Sequence, residues 1–84
     1  MNIEDWRNRI DELNGEIIDL LNKRAGYATE IGKIKKEKGL PVFDEAREQA
    51  VLEKVALLTK GPLSPESIKN IFRTIMQETR RVEE

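Results

Sequence analysis

Cysteine and histidine are both absent from the 84 residues. Their absence excludes disulfides and the usual zinc ligand sets. It also leaves no thiol or imidazole to serve as nucleophile or base, and no Ser-Lys constellation replaces them. No apolar run approaches the ~18 residues that span a bilayer, and there is no signal-peptide pattern, so a soluble cytoplasmic protein is expected. Neither sign of charge dominates, with 15 basic against 16 acidic residues. Attraction to nucleic acid or to an acidic membrane is therefore not expected. A Gly-rich phosphate loop, a metal motif, internal repeats and low-complexity segments are missing too. No stretch alternates apolar and polar residues as a strand would, which makes the fold class all-α.

Eighty-four residues make one domain, spanning 1–84, with a core small enough to need help. With disulfides and zinc excluded, association with another chain is the help that remains.

What is present starts with a long helical pattern from Ile3 to Lys38. Ile3, Trp6, Ile10, Leu13, Ile17 and Leu20 follow 3,4 spacing. Arg24 takes the next place in the row, and Tyr27, Ile31 and Ile34 resume it. A helix of this length runs ~54 Å at 1.5 Å per residue, far beyond a compact chain with a radius of gyration of ~12 Å. Its apolar row must be covered, and a second copy of the chain is the simplest cover. Glu4 and Asp5 suit the positive end of the helix dipole, and Lys33, Lys35, Lys36 and Lys38 the negative end. Gly39 and Pro41 stop the helix. Gly15, Gly26 and Gly32 are unfavourable inside a helix, and they are either a tolerated local weakness or, at Gly32 above all, a close approach of another backbone or a ligand.

A second helix is predicted from its cap at Asp44 to about Leu58, with Ala46, Ala50, Val51, Val55 and Leu58 as its apolar face. Gly61-Pro62 ends it, and Ser64-Pro65 starts a third helix that runs to near the chain end. Its stripe is Ile68, Ile71, Phe72, Ile75, Met76, Thr79 and Val82.

The polar residues on these faces suggest a pocket. Arg24 and Lys35 point along nearly one line, ~16 Å apart, with Ala28 and Ile31 between them. Asp44, Arg47 and Glu48 form D-x-x-R-E at a helix start, where free N–H groups suit anions. Thr79 and Glu83 lie one turn apart at the end of the third stripe. Arg7 is ~25 Å and roughly 100° around the helix from Arg24, so the two cannot hold one small ligand from the same helix. The set fits a small dianion, because arginines grip carboxylates bidentately. A reaction in such a pocket proceeds by positioning and electrostatics.

The segments Arg7-Asn-Arg-Ile10-Asp11, Leu20-Leu-Asn-Lys-Arg24, Glu30-Ile-Gly32-Lys-Ile-Lys35 and Pro41-Val-Phe-Asp44-x-x-Arg47-Glu48 together resemble the all-helical class of chorismate mutase. Ile71-Phe72 and Thr79 to Glu83 match it more loosely, so the resemblance covers nearly the whole chain. It implies an interlocked homodimer of three-helix chains with paired first helices. It further implies a cofactor-free Claisen rearrangement of chorismate to prephenate, in phenylalanine and tyrosine biosynthesis. By position, Arg24 and the partner copy's Arg7 would hold the two carboxylates, and Lys35 would bond the ether oxygen. Glu48 would accept from the ring hydroxyl, helped by the backbone near Asp44. Arg47 would contact substrate or orient carboxylates, and Thr79 matches a small hydroxyl residue. Glu83 departs from the glutamine of many bacterial members, because an ionised glutamate cannot donate to the ether oxygen. Two other functions fit the same resemblance: an isochorismate pyruvate-lyase, and a helical module that senses chorismate or prephenate.

Overall fold

A computed structural model describes residues 1–84, and it contains three helices and no strand. Helix α1 spans Ile3–Lys38, α2 spans Glu45–Ala56 and α3 spans Pro65–Glu83. Each boundary has a chemical cause. At the start of α1, Asn2 accepts from the Asp5 N–H at 2.9 Å and Asp5 accepts from the Asn2 N–H at 3.2 Å, a reciprocal capping box. At its end Gly39 adopts φ 66°, the left-handed conformation open to glycine, and the Leu40 N–H returns to the Lys35 carbonyl at 2.8 Å. Asp44 caps α2 through the Arg47 N–H, and Ser64 caps α3 through the Ser67 N–H with Pro65 in the first position.

Helix α3 packs on both α1 and α2, whereas α1 and α2 do not pack on each other. Both lean on a common third helix, so a gap is left between them. The buried part of α1 is a short stretch of small residues, with Ala28 and Gly32 buried and Ala25 and Thr29 half-buried. Gly32 does what a glycine at a helix contact can do. A Cβ there would sit 2.6 Å from the Glu83 carbonyl oxygen and 2.7 Å from its Cα. Only hydrogen at Gly32 lets the end of α3 come this close to α1.

The structure corrects the expected face of α2. Leu52 is its buried residue, while Ala46, Ala50 and Leu58 are exposed. The helix ends at Ala56, two residues before the predicted end, so Leu58 lies beyond it in a turn. The face toward α3 runs instead through Glu48, Leu52, Val55 and Ala56, and it therefore includes a carboxylate.

The molecule measures 54 × 23 × 15 Å, with a radius of gyration of 15.8 Å. Residues 1–23, the first 21 residues of α1 among them, are exposed throughout. Ile3, Trp6, Ile10, Leu13, Ile17 and Leu20 are each more than half exposed, and only 4 of 84 residues are buried. No helix is long and apolar enough to cross a membrane.

Candidate active site

The gap between α1 and α2 is a cavity of about 400 Å³, closed on one side by the last turns of α3. That volume suits a small ligand. Arg24, Lys35, Asp44, Arg47, Glu48, Thr79 and Glu83 all line it, brought together from three helices and the connector. Arg7 does not. It lies on the exposed half of α1, ~25 Å along the axis from Arg24. Tyr27, Ala28, Ile31, Val42, Val51 and Met76 supply the apolar surface.

Arg24 is half-buried at the edge of the small-residue face of α1. Its Nη1 donates to Thr79 Oγ1 at 3.0 Å, and that hydroxyl donates in turn to the Ile75 carbonyl at 2.6 Å. The back-bond fixes the hydroxyl hydrogen, so an oxygen lone pair is left for the guanidinium. Thr79 thus orients Arg24 without neutralising it.

At the other end of the cavity, Lys35 Nζ donates to the Val42 carbonyl at 2.7 Å and lies 3.5 Å from Glu83 Oε1. The two side chains are 19% and 11% exposed, which separates this pair from the open ion pairs on the surface. The close backbone approach at Gly32, one turn before Lys35, is what sets Glu83 beside the ammonium.

Asp44 caps α2 by accepting from the Arg47 N–H at 3.0 Å. The Arg47 side chain is exposed at the cavity wall and has no carboxylate partner. Glu48 faces inward and is held by Arg80, whose Nε and Nη2 donate to its two oxygens at 2.8 and 2.5 Å. These bonds push the Arg80 guanidinium further above its ordinary pKa than its partial burial pulls it down.

Sequence reasoning did not find Arg80. Its partner lies 32 residues away, and it sits beside Thr79, off the stripe that α3 presents. A polar residue on the core-facing side of α2 was the available signal, since Glu48 there requires a donor.

Most charges in the cavity fall into pairs. Lys35 answers Glu83 and Arg80 answers Glu48, while Asp44 is engaged in its cap. Arg24 and Arg47 keep unpaired positive charge facing the same cavity. A half-buried guanidinium bonded only to a neutral hydroxyl is poised for an anion.

Comparison with known proteins gives the chain a family and a fold. The family model for chorismate mutase type II matches residues 6–84. A bifunctional chorismate mutase/prephenate dehydratase of Neisseria gonorrhoeae is 44% identical over 77 residues, which is 92% of this chain and 21% of that protein. The chain thus spans about a fifth of the length of the bifunctional relatives it matches. A chorismate mutase structure from Thermus thermophilus superposes with a TM-score of 0.92 at 33% identity, covering 96% of this chain and 92% of that one. The Helicobacter pylori chorismate mutase in complex with prephenate gives a TM-score of 0.87 at 30% identity, covering 96% and 88%.

Proposed function

This chain belongs to the chorismate mutase type II family, and from that premise we propose that residues 1–84 form one mutase unit that rearranges chorismate to prephenate. The observation that carries this is the pair of uncompensated guanidinium groups, Arg24 and Arg47, in a cavity otherwise balanced by ion pairs. Chorismate is a dianion with an ether bridge and a ring hydroxyl. Its conversion breaks one C–O bond and forms one C–C bond within a single molecule, with no net proton transfer and no cofactor.

Arg24, oriented by Thr79, binds one carboxylate. The second carboxylate is taken by Arg7 of a partner copy, because Arg7 in the same chain is too far along α1. The apolar row of α1, exposed from Ile3 to Leu20, supports a homodimer in which first helices pair and bring that arginine across. Lys35 donates to the ether oxygen, where negative charge grows as the C–O bond breaks. A donor fixed before the reaction lowers the barrier because it need not reorganise. Glu83, beside Lys35, is the second group at that oxygen and helps only while it carries a proton. Glu48 accepts from the ring hydroxyl, with the backbone near Asp44 assisting. Arg47 contacts a substrate carboxylate at the cavity mouth. We place the reaction in phenylalanine and tyrosine biosynthesis, in the cytoplasm.

The test is to mix purified protein with chorismate, follow the loss of its ultraviolet absorbance and identify the product. Prephenate is expected. Unchanged chorismate would overturn the proposal, and release of pyruvate from isochorismate would assign the lyase activity instead.

A further inference from the structure

Glu48 stands on the face of α2 that packs toward α3, where a carboxylate must find donors. It finds both in Arg80. The Nε and Nη2 bonds, at 2.8 and 2.5 Å, form a fork on its two oxygens. Arg80 is itself fixed from a third side. Its guanidinium carbon lies 4.2 Å from the centroid of the Phe43 ring, in the connector just before the α2 cap. The side chains of Arg80 and Glu48 are 35% and 22% exposed, so the pair is partly shielded from competing water. Two cavities meet at this pair. Glu48 and Arg80 line the 400 Å³ cavity, and they also line a second one of about 310 Å³ on their far side, bounded by Phe43, Gln49, Arg73 and Gln77.

We propose that Arg80, clamped by Phe43, is the positioning residue for Glu48: it fixes the carboxylate at the cavity wall and closes that wall against the second cavity. A carboxylate has about four lone-pair sites. The fork occupies one on each oxygen, and the others remain for a ligand hydroxyl. Because both oxygens are held, the carboxylate plane cannot rotate, and its free lone pairs keep one direction. A lysine cannot reproduce this, since its ammonium is a point donor without a plane. Arg80 acts through Glu48, with its Nε–Nη2 edge occupied by that fork.

The inference rests on the proposed mutase activity, so wild-type turnover of chorismate is the control that separates failure of one from failure of the other. With an active wild type, kcat and KM are measured for Arg80→Ala, Arg80→Lys, Glu48→Gln and the two double variants. Arg80→Ala should lower kcat/KM by about tenfold or more in the wild-type background and by less than about twofold when Glu48→Gln is already present. Arg80→Lys should recover only a small part of the loss. A staple between helices would behave differently: stability would fall, but kcat and KM of the folded protein would stay near wild type. Phe43→Leu keeps the test open should Arg80→Ala fail to fold. It should give a smaller loss of the same kind, again absent beside Glu48→Gln. Independent effects for Arg80 and Glu48, or full activity in Arg80→Lys, would overturn the proposal.

Discussion

Lys35 and Glu83 meet at 3.5 Å in a place that little water reaches, and the proposed chemistry needs both of them at one oxygen. Removing one donor to a developing oxyanion removes ~3–4 kcal/mol of transition-state stabilisation. Lys35→Ala should therefore lose at least about a hundredfold in turnover while its helical circular dichroism is kept. A mild effect confined to KM would make Lys35 a binding charge only. The acid form of Glu83 donates to the ether oxygen and the carboxylate cannot. Glu83→Gln carries a permanent donor of nearly the same shape, so it should keep or raise turnover, whereas Glu83→Ala should lower it. Full turnover in Glu83→Ala would place Glu83 away from the reacting oxygen. At this scale the sequence was informative where a polar group interrupts an apolar row, as Arg24 does, and Lys35 followed from its alignment with Arg24. It was silent on Arg80, because the demand for a donor comes from Glu48, across a helix contact that no local spacing encodes.

Capped helix ends were the most legible elements, since caps are local chemistry: Gly39, Asp44 and Ser64 stand where their types lead one to expect them, whereas the end of α2, which has no such residue, falls two residues early. The face of α2 was misjudged for a physical reason. Twelve residues with scattered alanine and valine admit two overlapping stripes, and packing on α3 chose the one through Leu52. Of the two readings open to a helical glycine, Gly32 follows the close approach, whereas Gly15 and Gly26 have open space around them. The missing side chain of Gly32 is where α1 and α3 touch backbone to backbone, and that contact sets Glu83 next to Lys35. Gly32→Ala puts a methyl group 2.6 Å from the Glu83 carbonyl oxygen, so the end of α3 has to move. Overpacking of this kind costs about 1–3 kcal/mol. Urea denaturation should show that loss, and turnover should drop by more than the unfolded fraction explains. Full activity at lowered stability would mean that Glu83 need not sit where the α1–α3 contact puts it.

At the scale of the whole molecule, the chain has a site but too little core. Only Ala28, Leu52 and Met76 form the buried apolar set, and a long apolar row faces outward on α1. The expectation of a second copy came from that row and from helix length, and the 54 Å extent of the molecule gives the geometry behind it. Sedimentation equilibrium at micromolar concentration should give twice the 9.7 kDa chain mass. A folded monomer there would contradict the pairing of α1 helices.

Activity, dimer and shared site meet in one measurement. Arg7→Ala and Lys35→Ala chains, each inactive alone, are mixed and allowed to exchange subunits. On the proposal that Arg7 serves the neighbouring chain, a mixed dimer carries one site with both changes and one with neither. With random exchange of equal amounts, about a quarter of all sites are intact, and chorismate turnover should return to about that fraction of wild type. No recovery, with mixed dimers demonstrated in the sample, would contradict a site completed by Arg7 from the second chain.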